Sequence, residues 1–281
     1  MRYRFDVRVG PIGFRIGSVW RSPIAALEAL YANYPPGDGV PDYSVRLEPD
    51  RFWRRWIRPS VAIRGDHILP DALPLSLAHG LLAAEMGMNL QLALGERRFL
   101  LIHAASVEKE GHGLILTGES GSGKSTLSAL LGANGWRFMG DEFVLLDPET
   151  GSIHPFPRPI SLKNASIAAL EQILPQMHFG PRLVGTPKGD IRHLKPDAIA
   201  LEAMNRTATP HFILFPRFGF EAAVRAVPPG ETFVRLTQAS TNYTALGERG
   251  FSALTRLVTT VSARAIDYPD TQTALKLVAS L

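Results

Sequence analysis

The chain has 281 residues, room for one large domain or two modest ones, and its hydrophobic (45%) and charged (20%) fractions are those of a globular protein rather than a disordered or fibrous one. It has no cysteine, which excludes disulfides and thiolate chemistry and suits a reducing compartment. Net charge is +4, and residues 1–60 alone hold ten arginines against six acidic groups. The start, Met1-Arg2-Tyr3-Arg4-Phe5-Asp6, has no apolar run, so no secretory signal is expected. The most apolar stretch, Leu73 to Leu94, includes His79, Glu85, Asn89 and Gln91 with Pro74, Gly80 and Gly87. It reads as a buried helix and not a membrane span, and the expected location is the cytoplasm.

In chain order, Tyr3–Val9 and Ile12–Ile16 flank Gly10-Pro11 as a predicted hairpin. A short helix opens at Ser22-Pro23 and runs to about Tyr31. Residues 35–39, Pro-Pro-Gly-Asp-Gly, form a loop, and Tyr43–Leu47 and Val61–Ile68 are strand candidates. Between them Arg51-Phe52-Trp53-Arg54-Arg55-Trp56-Ile57-Arg58 interleaves basic and aromatic residues. One reading is a docking surface for an acidic partner or nucleic acid; the other, preferred on pattern, tucks the aromatics inward, and no nucleic-acid partner is expected. A soft boundary near residue 72 divides a small β-rich N-terminal segment, 1–72, from a core spanning 73–281. After the apolar helix come strands at Phe99–Glu108 and Gly113–Thr117, joined at Lys109-Glu110-Gly111.

Gly118-Glu119-Ser120-Gly121-Ser122-Gly123-Lys124-Ser125-Thr126 then fits G-x-x-x-x-G-K-[ST] in full, between a strand pattern and a helix pattern. Glycines let backbone N–H groups face phosphate oxygens, and a helix N-terminus adds partial positive charge. Lys124 is expected at the β- and γ-phosphates of ATP and Ser125 on Mg²⁺. Phosphoryl transfer needs a carboxylate near the metal and one to orient or deprotonate the acceptor. Phe143-Val144-Leu145-Leu146-Asp147 matches four apolar residues and an aspartate, but Pro148-Glu149-Thr150-Gly151 follows at once, so Asp147 reads as a turn former. Asp141, after Gly140, is the preferred site carboxylate. Phe143–Leu146 and Ile153–Ile160 are predicted hairpin arms, a register that brings Arg158 opposite Asp141. Arg158 or Lys163 would then offset charge on the γ-phosphoryl group.

Further on, Asn164–Ile173 is helical, Leu183–Pro196 reads as a glycine-, proline- and charge-rich loop, and His211–Arg217 is a strand. Helices at Thr232–Gln238, Gly250–Ala263 and Asp270–Ala279 are expected to close the chain. No Asn-Lys-x-Asp, no Leu-Ser-Gly-Gly and no His-Arg-Asp with Asp-Phe-Gly occurs, which removes support for a guanine-specific GTPase, an ABC transporter ATPase and a classical protein kinase.

The order Ile102-His103-Ala104-Ala105-Ser106-Val107, the 118–126 motif and Gly140-Asp141-Glu142 resembles the HPr kinase/phosphorylase catalytic domain and its shorter HPr-kinase-related relatives. The resemblance implies an α/β fold with an α+β tendency, akin to phosphoenolpyruvate carboxykinase around the P-loop. It implies an ATP- and Mg²⁺-dependent serine kinase acting on a small protein or peptide, with assembly as a homo-oligomer left open. By position it makes Asp141 the base, Glu142 a metal ligand beside Ser125, and His103 a wall of the site. Read without the family, His103 is a strand-end histidine. The chain departs from the pattern at His103-Ala104 (usually His-Gly), at Asp141-Glu142 (usually Asp-Asp) and in lacking a clear Glu-x-Arg-Gly. Gly185 to His193 lies in that last region, where Lys188 and Arg192 would clamp phosphate or acceptor, or belong to a solvated loop. A small-molecule hydroxyl kinase and a non-catalytic ATP-binding regulatory module are the alternatives.

Overall fold

The computed structural model describes residues 1–37, 39–69 and 72–281. β1 (Tyr3–Val9) and β2 (Ile12–Ser18) form the expected hairpin, with Val9 paired to Ile12 across Gly10, whose φ of +52° closes the turn. α1 (Arg21–Leu30) carries Pro23 in its first turn and buries Ile24, Leu27 and Leu30. β3 (Tyr43–Pro49) runs parallel to β2, β4 (Ser60–Gly65) antiparallel to β3, and β5 (Leu75–Ser76) closes a five-stranded sheet in chain order. Asp38, in the expected 35–39 loop, and residues 70 and 71, beside the boundary expected near residue 72, lie outside the described residues.

The apolar helix starts later than its pattern suggested. A 3₁₀ turn, Leu77–His79, leads into α2 (Gly80–Gly95). α2 lies on the N-terminal sheet, close enough at Gly87 that a Cβ there would stand 2.5 Å from Val45 Cγ1. Their shared core holds Val7, Phe14, Val45, Met88 and Leu92, and continues without a break through Phe143, Leu145 and Phe156. Burying that apolar surface is what holds the N-terminal segment on the rest of the chain. Among the described residues no helix is long and apolar enough to cross a membrane.

The remainder is a mixed α/β assembly of three further sheets. Its elements are β6 (Leu100–Ile102), β7 (Ala104–Lys109), β8 (His112–Thr117), α3 (Lys124–Ala133), β9 (Arg137–Gly140), β10 (Val144–Leu146), β11 (Ile153–His154), β12 (Ile160–Lys163) and α4 (Ala165–Ile173). They continue with β13 (Phe179–Thr186), β14 (Gly189–Leu194), α5 (Ala198–Glu202), β15 (Thr209–Phe218), β16 (Ala223–Val227), α6 (Pro229–Ala239), α7 (Tyr243–Leu246), α8 (Glu248–Thr260), β17 (Ser262–Tyr268) and α9 (Thr271–Ala279). The central sheet has the order β16-β17-β15-β8-β7-β9; the two small ones are β11-β10-β6 and β12-β14-β13.

Four expectations are corrected here. The single strand at Phe99–Glu108 is two strands, because at His103 the chain leaves β10 and joins β8, and the His103 N–H bonds to Ala239 instead. The arm Ile153–Ile160 is also split. Its register is as predicted at Leu145–His154 and Leu146–Ile153, but Pro155, Pro157 and Pro159 offer no ladder N–H, so β11 ends after two residues and β12 joins another sheet. Leu183–Pro196 is mostly the β13–β14 hairpin and not a loop; Gly185 and Gly189 take φ of +67° and +87°, and Arg182–Asp190 (3.0 Å) and Arg192–Glu171 (2.5 Å) pair the charges. Finally, α8 stops at Thr260 and the chain re-enters the sheet as β17, between β15 and β16.

Candidate active site

The central sheet sets the site by its strand directions. β8, β15 and β17 are mutually parallel, while β7 runs antiparallel to both β8 and β9. Pairings Ala104–Thr117, Ser106–Gly140 and Phe218–Tyr268 therefore put five things at one edge: His103, the loop after β8, Asp141, Phe218 and Tyr268. In open α/β sheets the carboxyl edge of parallel strands, where strand direction switches, is where ligands bind.

The loop after β8 is shaped by its glycines. Gly118, Gly121 and Gly123 have φ of +148°, +86° and +98°, and Gly123 hands over directly to the first turn of α3. A Cβ on Gly123 would stand 2.5 Å from the Tyr268 hydroxyl, so Tyr268 closes against the loop. Lys124 is buried and folds back on the loop, Nζ donating to the carbonyls of Gly118 and Glu119 at 2.8 Å each. Burial pulls its pKa down, and Asp141 and Glu142 partly restore it.

Next to Lys124, Ser125 Oγ donates to Asp141 Oδ1 at 3.1 Å. Asp141 is 4% exposed, and its Oδ2 is buried with no hydrogen-bond partner. Burial first, and then the neighbouring Glu142, raise its pKa to about 7 against the pull of Ser125 and Lys124. Ser122 Oγ is a second buried oxygen without a partner at this loop. Glu142 has φ +71°; its backbone oxygen lies 3.0 Å from His103 Nδ1 and its carboxylate 3.7 Å from the same nitrogen. The His103 carbonyl accepts from Thr117 Oγ1 at 3.3 Å. His103 is thus placed by Thr117 at the end of β8 and by Glu142 between β9 and β10.

A cavity of about 460 Å³ opens over these groups. Lys124, Ser125, Asp141, Glu142 and His103 line one side; Phe218, Tyr268, Ala274 and Leu130 form an apolar wall. A second cavity, about 30 Å³, lies behind Asp141 and Glu142, bounded by Glu85, Asn89, Lys188 and His193. Ser161 and Lys163 line both. Arg158 lines the smaller cavity alone, its guanidinium spent on Glu85 Oε2 (2.5 Å), Tyr31 and Asn89. Of the two cations read from register, Lys163 is the one on the larger cavity. Lys188 reaches the smaller one from the β13–β14 turn, while Arg192 bonds to Glu171 and the Gly180 carbonyl. Asp147 is at the hairpin turn, capping Glu149 and Thr150 N–H groups at 2.8 and 3.1 Å.

The donor set suits Mg²⁺: a hydroxyl and a carboxylate already in contact, with one buried carboxylate oxygen lacking a donor. Magnesium is commonly held by one or two protein oxygens with waters and substrate phosphates completing the octahedron. Among the described residues no cluster of three His, Asp or Glu forms an all-protein cage. Sequence reasoning missed the wall. Phe218 ends a predicted strand, but Tyr268 and Ala274 belong to β17 and α9, whose approach to the loop only the sheet order reveals.

No protein-family model matches the chain, and no curated protein does. Among solved structures, the HPr(Ser) kinase/phosphatase from Coxiella burnetii is similar to it at 17% identity, with 64% of this chain and 91% of that one covered and a TM-score of 0.29.

Proposed function

We propose that the protein is a kinase that transfers the γ-phosphoryl group of Mg-ATP to a serine hydroxyl on a small protein or peptide. The observation that carries this reading is the Ser125–Asp141 contact beside Lys124, with Asp141 Oδ2 unpartnered in a residue that lines the larger cavity. Lys124 exchanges the Gly118 and Glu119 carbonyls for phosphate oxygens, and the N-terminal amides of α3 add donors. Ser125 and Asp141 Oδ1, with Glu142 alongside, would hold Mg²⁺, which would supply positive charge to the phosphates. The adenine end of the nucleotide lies toward Phe218 and Tyr268. Asp141 Oδ2 accepts the serine proton as the Ser Oγ–P bond forms and the P–O bond to the β-phosphate breaks. Lys163, on both cavities, offsets charge on the moving phosphoryl group, and Lys124 stays with the ADP that leaves.

The smaller cavity favours a polypeptide acceptor over a sugar-sized one. At about 30 Å³ it admits one or two water-sized groups, enough for a serine CH₂OH and too little for a whole metabolite. Incubating the protein with Mg-ATP and a desalted protein extract of its host, followed by phosphosite mass spectrometry, tests the reading. One serine should be phosphorylated by wild type and by neither Lys124→Ala nor Asp141→Ala. ATP binding with no phosphorylated protein would overturn the protein-kinase assignment.

A further inference from the structure

The Arg/Trp segment does not turn its aromatics inward. Phe52, Trp56 and Ile57 are 75%, 67% and 66% exposed around a 3₁₀ turn, Phe52–Arg55. That turn forms one rim of a groove of about 750 Å³, between the start of α1, the start of α2 and the edge strand β13. Leu77, Pro181 and the buried Leu81 and Leu183 give it apolar lining. Arg54 and Arg58 stand in its wall, and among the described residues no acidic one lines it.

The charge here is unbalanced. Among the described residues most exposed arginines elsewhere pair with a carboxylate, as Arg217 does with Asp267 at 2.6 Å and Arg225 with Glu231 at 3.0 Å. Arg51 and Arg55 lie instead over the rings of Trp53 and Trp56 (5.5 and 5.3 Å), and Arg54 donates to the Arg58 carbonyl at 3.0 Å. A concentration of unpaired guanidinium groups around an apolar hollow is complementary to a chain carrying both carboxylates and apolar side chains. Single-stranded nucleic acid fits less well, since Arg51 and Arg55 already stand over the Trp53 and Trp56 rings and leave each fewer free faces for a base.

We infer that this groove binds an acidic, apolar-containing polypeptide segment and that the segment belongs to the phospho-acceptor. The binding stands on the surface itself; the acceptor's identity rests on the kinase reading above. α2 links the two places. It begins at the groove with Gly80 and Leu81 and passes the smaller cavity with Glu85 and Asn89. Leu81 to Asn89 spans about 12 Å at 1.5 Å per residue. About four extended residues cover that length of helix.

The test is fluorescence anisotropy without nucleotide, using a fluorescein-labelled peptide that alternates Glu with Leu and Phe. Saturable binding is expected, weakening with salt, with a lysine-for-glutamate peptide failing to bind. Trp56→Ala and the double variant Arg54→Glu/Arg58→Glu should each weaken it about tenfold or more. Unchanged unfolding midpoints confirm that these surface variants fold. Equal binding of both peptides, or no loss in the double variant, overturns the inference. So does binding only to vesicles of equimolar phosphatidylserine and phosphatidylcholine, or only to oligothymidine. The two readings fail separately. Peptide binding with no phosphorylated host protein leaves the groove standing and removes the kinase; phosphorylation with no peptide binding does the reverse.

Discussion

Asp141 costs the protein stability where it stands. A carboxylate 4% exposed, with one oxygen lacking any donor, favours its protonated form, and its pKa rises from 3.8 to about 7. Unfolding releases that constraint, so between about pH 4 and pH 7 the native state holds the extra proton and stability falls as pH rises. Asp141→Asn removes the penalty. At pH 8, without metal or nucleotide, it should melt above wild type by an amount worth on the order of 1–4 kcal/mol, and the gap should close toward pH 4. Differential scanning calorimetry across that range checks it; a variant that melts lower at pH 8 would show that Asp141 holds the fold instead. The same variant should lose turnover, the trade expected of a residue kept for chemistry.

At the scale of elements, the loop and its neighbours are tuned to one another. Gly123 sits at φ +98° with Tyr268 2.5 Å from where a Cβ would be. Gly123→Ala should cost about 1–2 kcal/mol in backbone strain alone. It should also weaken ATP binding, and Tyr268→Phe in the same chain should restore part of the loss by removing the hydroxyl. Urea unfolding and calorimetric ATP titration separate the two effects. How far such elements can be read from the chain depends on where their order comes from. The 118–126 motif, the turn at Asp147 and the register of Leu145 with His154 are local, and their spacing carries them. β17 is not local: it follows α8 with only Val261 between, no glycine or proline marks the change, and its partners are 36 or more residues away in β15 and β16. β13 and β14 hide behind charge, because Arg182 and Arg192 look solvated until Asp190 and Glu171 are placed beside them.

Across the whole molecule, Arg158 ties the N-terminal segment to the rest of the chain. It is 3% exposed and reaches α1's C-cap Tyr31 and Glu85 and Asn89 on α2. Removing one partner of a buried pair leaves the other uncompensated, which costs about 3–5 kcal/mol. Arg158→Met should therefore lower stability by that order in urea unfolding, while Glu85→Gln/Arg158→Met together should lose less than the single change. ATP affinity at a temperature where the variant stays folded should be near wild type, since Arg158 does not line the larger cavity.

The two cavities share Asp141, Glu142, Ser161 and Lys163 but differ in what else borders them. Among the described residues the larger is lined from His103 to Ala274, whereas Leu82, Glu85, Met86 and Asn89 of α2 border the smaller alone. On the proposed reading, α2 then shapes what receives the phosphoryl group without touching what supplies it. Exchanges at Leu82 or Met86 could redirect the enzyme to a new target without disturbing its fuel.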